Sequence, residues 1–172
     1  MRRRNTLKFI GLTGVISLTG CLGASPETEG NDDDPIEAEP NELLPSADLF
    51  GDEWSQVDNE PAGLHPIELE GEVASTSFAT ANGEEGIDVE VTVFGSVDQA
   101  MSGYQKMRDS DLRGDGSLVE DIDIGSEGHL MDLDLISVYF RDANVIGSII
   151  HVTQGSSKST QYGAAWHETW RE

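Results

Sequence analysis

The chain has 172 residues, room for one domain with appendages, and carries 33 Asp and Glu against 10 Lys and Arg. All 33 acids lie after residue 21, together with only six of the bases, so the part beyond the first twenty residues carries a net charge of −27. Such a surface repels the phosphates of nucleic acid, which excludes that partner class, and strains a compact fold in dilute buffer. At ~1 M salt the screening length falls to about 3 Å and most of the strain goes. Eight acids fall in residues 22–42 and 25 in the remainder, so an acidic tail does not account for the charge. The composition predicts a protein adapted to brine.

The first twenty-one residues, MRRRNTLKFIGLTGVISLTGC, run from a basic start through an apolar stretch at 9–19 to small residues before Cys21, the only cysteine. That is the order of an export signal, and the stretch is too short for a membrane span of about 20 residues. RRNTLK at 3–8, with Arg3 and Arg4 followed by Leu7 and Lys8, resembles the twin-arginine export motif; Thr6 stands where that family more often has a bulky apolar residue. LTGC at 18–21 resembles the lipobox of bacterial and archaeal lipoproteins. The resemblance implies removal of residues 1–20 and a lipid thioether on Cys21. With the acidity, it suggests a haloarchaeal exported lipoprotein held to the cell membrane, on its outer face, by that lipid. Each buried lipid CH₂ contributes about 0.8 kcal/mol, and two chains make a stable anchor.

Residues 21–42 read as the lipidated cysteine and an acidic linker. Pro26, Pro35 and Pro40 interrupt it, there is no aromatic residue, and little in it can be buried. Flexible-coil scaling gives it a reach of roughly 25 Å.

From 43 to 172 the pattern is that of a single α+β domain. DEWSQVD at 52–58 offers a short strand with Trp54 inward. EVASTSFAT (72–80) and GIDVEVTVF (86–94) flank a turn-rich ANGEEG and predict a hairpin, with Ile87, Val89, Val91 and Val93 on one face. Ser96 and Gln99 read as a capping box, and Val97, Ala100, Met101, Tyr104 and Met107 as the buried stripe of a helix. LISVYFRD (135–142) and NVIGSIIHV (144–152) predict a second hairpin, with Ile136, Val138 and Phe140 inward on one arm and Ile146, Ile150 and Val152 on the other. Tyr162, Ala165, Trp166 and Trp170 mark a second helix, read as core. The expected architecture is an antiparallel sheet of about five strands with both helices on one face, in ββα–ββα order. In layout alone it is similar to small exported domains of the PsbP/Mog1-like type, a similarity that implies a fold and no functional residues.

Motifs for chemistry are sparse. DSDLRGDGSLVE (109–120) nearly fits an EF-hand loop, with Asp109, Asp111, Gly114 and Glu120 at positions 1, 3, 6 and 12. Arg113 occupies position 5, where calcium needs an oxygen ligand, so the stretch reads as a helix-to-strand connection, and Asp109, Asp111 and Glu120 stay as the weak metal candidates. His65, His129, His151 and His167 show no ligand spacing. His151 alternates away from the core face predicted for its strand, and His167 reads as packing between tryptophans. No nucleotide, nucleophile-elbow or dithiol motif is present, and no cofactor is expected. The reading is a non-enzymatic module binding a protein or small ligand outside the membrane, with a carboxylate-based hydrolase or a calcium-binding domain as alternative.

Overall fold

The computed structural model describes residues 34–58, 69–116, 119–132, 135–151 and 158–172. The elements with export, lipidation or tether roles in the sequence reading (Arg3, Arg4, Leu7, Lys8, Cys21 and residues 22–33) lie outside these, as do His65 and Val152.

The described chain forms one seven-stranded antiparallel sheet and two helices. The strands are β1 (Trp54–Val57), β2 (Glu72–Thr80), β3 (Gly86–Val93), β4 (Val119–Asp121), β5 (Glu127–Asp132), β6 (Ile136–Asp142) and β7 (Val145–His151); the helices are α1 (Val97–Asp115) and α2 (Ser159–Glu168). Spatial order is β1-β2-β3-β7-β6-β5-β4. Helix α1 carries the chain from mid-sheet to the far edge, and the β4–β7 meander then returns to pair β7 with β3. The fold class is α+β, as expected. The strand count and the ββα–ββα order are not: β4 and β5 come from residues 119–132 between the first helix and the second predicted hairpin, and the order is βββα–ββββα.

Both hairpins form where alternation predicted them. Between β2 and β3, Asn82 accepts the Glu84 N–H at 3.2 Å and the Thr80 hydroxyl at 2.8 Å, while Gly83 supplies a φ of +68°. Between β6 and β7 only Ala143 and Asn144 turn the chain, Asp142 pairing with Val145.

The two helices lie on opposite faces of the sheet, which corrects the expectation of one covered face. Successive residues of β6 show it: Phe140 meets Trp166 of α2 edge-on at 5.4 Å, whereas Tyr139 stacks on His129, which meets Tyr104 of α1. The α2 face holds the larger core, including Phe78, Ile87, Val89, Val91, Val138, Phe140, Ile149 and Trp166; the α1 face holds Phe94, Ala100, Tyr104, Met107, Tyr139 and Ile146. Strands β6 and β7 are thus covered on both sides. Met101 and Ala165, read as stripe residues, are exposed, and Gly103 and Gly163 face the sheet instead. Gly163 lets α2 come close: a Cβ there would sit 3.2 Å from both Ile124 and Val138.

The packed domain also begins earlier than residue 43. Ile36 donates its N–H to Asn144 Oδ1 at 2.7 Å, Asn144 Nδ2 donates to Phe94 O at 2.9 Å and to Ile36 O at 3.3 Å, and Trp166 Nε1 donates to Leu43 O at 2.6 Å. Ile36, Pro40, Leu43 and Phe50 are buried, so residues expected to be linker form a strap across the α2 face.

Candidate functional site

Three titratable clusters are built into the sheet. Between α1 and β5, His129 is fully buried; its Nε2 lies 2.9 Å from Asp111 Oδ2 and its Nδ1 2.9 Å from the Tyr104 hydroxyl. A carboxylate can only accept, so Nε2 carries the proton. Burial keeps the Tyr104 hydroxyl protonated far above its ordinary range, with a proton available for the contact to Nδ1. Burial likewise pushes Tyr139, stacked on the ring, up to about 12. Every hydrogen-bonding atom of His129 is used, and the cluster fixes α1 to the sheet.

At the β6–β7 turn, Asp142 accepts from His167 Nε2 at 3.0 Å, from Arg171 Nε at 2.9 Å and from Ser126 Oγ at 3.2 Å. Burial would raise its pKa, but hydrogen bonds and charge from His167 and Arg171 outweigh that and hold the carboxyl well below its usual range. His167 is thus a hydrogen-bond partner of Asp142 as well as a packing residue, closing the α2 end over the turn.

The third cluster corrects the reading of His151, which faces the α2 core and is fully buried. Its Nδ1 lies 3.2 Å from Ser159 Oγ, while Nε2 stands 3.9 Å from Glu85 Oε2, beyond hydrogen-bond reach, and has no partner among the described residues. Trp54 and Tyr162 flank the ring. Hydroxyl, imidazole and carboxylate in a row have the order of a nucleophilic triad. Ser159 is fully buried, however, leaving no place for an acyl group against its oxygen. The cluster is read as structural.

The sequence's metal candidates do not come together as a loop. Helix α1 runs on through Asp115, so Asp109 and Asp111 sit on a helix, Asp111 buried against His129 and Asp109 facing solvent, while Glu120 is an exposed residue of β4. An EF-hand needs these positions in a non-helical turn around one point; continuation of the helix removes that turn. Among the described residues no three acidic, histidine or cysteine side chains are grouped to hold an ion.

An accessible concavity among the described residues lies elsewhere, where the start of β2 and the end of β3 meet the first turns of α1. It is a cavity of about 80 Å³ lined by Leu69 and Glu70 ahead of β2, by Phe94 after β3, and by Gln99, Ser102, Gly103 and Lys106 of α1. It opens onto a shallower depression past Gly71, Glu72 and Gly95. Residues 99, 102 and 106 share one helix face at i, i+3 and i+7. The Ser96 side chain caps the helix by accepting the Gln99 N–H at 3.3 Å, whereas the Gln99 side chain turns to the cavity instead of closing the expected capping box. Gly103 keeps the wall thin, since a Cβ there would meet the Phe94 ring at 3.0 Å. None of these cavity residues reads as a site residue from sequence, Gln99 being expected only in the helix cap; three polar residues on a helix otherwise signal only a solvated face.

No protein-family model and no curated protein sequence matches the chain. Its fold is similar to the crystal structure of the extracellular domain of PknH from Mycobacterium tuberculosis, with a TM-score of 0.51 and 12% identity over 81% of this chain and 98% of that one. At that identity the likeness is one of fold.

Proposed function

We propose that the chain is an exported lipoprotein whose α+β domain, tethered through a lipid on Cys21 to the outer face of the cell membrane, acts as a binding module in high salt. The observation carrying this reading is the leader itself: twin arginines, a short apolar run and LTGC, in that order, ahead of an acidic tether and an acidic domain. Other features support it. No helix among the described residues is long and apolar enough to cross a membrane. The first packed residue, Ile36, follows Cys21 by fifteen positions, a tether of roughly 20 Å by coil scaling. The similar fold serves as an extracellular domain in PknH. His129 and His167 use their ring nitrogens to hold the two helices to the sheet, while the cavity beside α1 is open, which favours binding over catalysis.

Mass spectrometry of the full chain expressed in an exporting host tests the reading. The expected product begins at Cys21, carries a lipid mass and sediments with membranes; Cys21→Ser leaves the membrane fraction, and Arg3→Lys with Arg4→Lys retains the uncleaved precursor inside the cell. An unmodified full-length chain, or a Cys21→Ser variant still in the membrane pellet, overturns it.

A further inference from the structure

The cavity beside α1 carries one cation and one anion that do not meet. Lys106 of α1 and Glu70 of the segment before β2 both line it; both are exposed, and among the described residues neither has an ion-pair or hydrogen-bond partner, nor do the side chains of Gln99 and Ser102. The part beyond residue 20 has six bases among 33 acids, and three of those bases are engaged: Arg108 with Asp121, Arg141 with Glu127 and Arg171 with Asp142. Lys106 lines the same cavity as Phe94 and Leu69, with an amide and a hydroxyl on its own helix face.

Charge complementarity selects the occupant. A simple anion drawn to Lys106 meets Glu70, and a simple cation drawn to Glu70 meets Lys106. A molecule carrying both charges on a short frame satisfies both at once, with Gln99 and Ser102 free to donate to or accept from its polar end. The narrower part, about 80 Å³, holds a few water-sized groups, the scale of a small apolar side chain, and the depression of about 440 Å³ that shares Leu69, Glu70 and Phe94 with it leaves room for the charged end.

We propose that this cleft binds a small zwitterion of the free α-amino acid class, its carboxylate on Lys106, its ammonium on Glu70 and its side chain over Phe94. The proposal rests on the reading of the domain as a binding module and names the ligand class for it.

Titration calorimetry of the full-length protein in detergent at 1 M NaCl, with glycine, alanine, valine, leucine and phenylalanine as probes, tests it. At least one apolar amino acid should bind, and at least tenfold more tightly than the matching single-charge halves; for leucine these are isovalerate and isopentylamine. Lys106→Glu should weaken that binding at least tenfold, and adding Glu70→Lys should restore it at least in part, because a zwitterion can reverse in a site whose charges are exchanged. Thermal melts that match the unaltered protein show that the variants are folded. No binding by any probe at 10 mM, equal binding of either half-molecule, or a charge exchange without rescue overturns the proposal. The location of the protein is read by Cys21→Ser alone, so either idea can fail without the other.

Discussion

His151 enters the folded state under opposing pressures. Burial disfavours its charged form and lowers its pKa below the ordinary 6.5; the Glu85 carboxylate pulls it back up, and Lys158 adds to the lowering. The imidazole is therefore neutral in the fold at pH values where the unfolded chain already takes up a proton. A lowered histidine pKa means the unfolded state binds more protons in that window, so stability is intact above about 6.5 and declines as pH falls towards the folded-state value. One proton can contribute a slope of at most about 1.4 kcal/mol per pH unit. In 2 M salt, urea midpoints of the native protein should fall between pH 7 and pH 5, and those of His151→Phe should fall less steeply. Identical slopes would remove His151 as the source. Asp142 acts in a separate, more acidic window: its pKa is depressed from 3.8, so its contribution is present above that value and lost below it.

Element by element, packing is set where glycine meets aromatic rings. Gly147 of β7 lies beneath the stacked pair Phe140 and Trp170, whose centroids are 5.0 Å apart. A Cβ at 147 would come within 2.6 Å of Phe140 Cζ and 2.9 Å of Trp170 Cη2 and Cζ2. The slot has no slack, and overpacking of this kind costs about 1–3 kcal/mol. Gly147→Ala should lower the denaturation midpoint by that amount, and Trp170→Phe in the same chain should recover part of the loss by removing the contacted ring edge. Strictly additive effects would place the strain elsewhere. The same region shows what the sequence could convey. Strand β3 alternates apolar and polar residues because only one of its faces lies in a helix-covered core for most of its length, and its face was read correctly. Strands β6 and β7 are buried on both sides, so VYFRDANVIGSII offers no period by which to choose a face; hence His151 and the two helices were misplaced relative to the sheet. The second half of α1 was hidden differently, since DSDLRGDG is poor in apolar residues and rich in turn formers, and the Asp111–His129 bond that holds it is made across the fold. The strap from Ile36 to Phe50 escaped notice for a similar reason. Ile36 is a single aliphatic residue in an acidic stretch, and its anchor, Asn144, lies 108 positions away. Glu70 and Lys106 likewise gain a shared cavity only when β2 is placed beside the α1 crossover.

For the molecule as a whole the governing term is charge. Acids outnumber bases throughout the domain, and the few cations are used locally: Arg108 bridges α1 to Asp121 of β4, Arg141 holds Glu127 across β5 and β6, and Arg171 closes on Asp142. These pairs tie neighbouring elements but leave most exposed carboxylates facing one another through water, a repulsion that acts on the compact state more than on the expanded one. Raising NaCl from 0.1 M to 1 M shortens the screening length from about 10 Å to about 3 Å. The melting temperature should therefore climb by roughly 10 °C over that range, the equivalent of about 3 kcal/mol for a domain of this size. General salting-out would also raise it, so the charge mechanism needs its own control. Asp52, Glu72, Asp109 and Glu120 are exposed, and changing them together to Asn or Gln removes four negative charges without touching the core. If self-repulsion governs, the variant melts higher than the native protein at 0.1 M NaCl, the two converge at 1 M, and the slope against salt is shallower for the variant. Parallel slopes would assign the salt effect to hydration of the apolar core and leave the acidic surface without a stabilising role in brine.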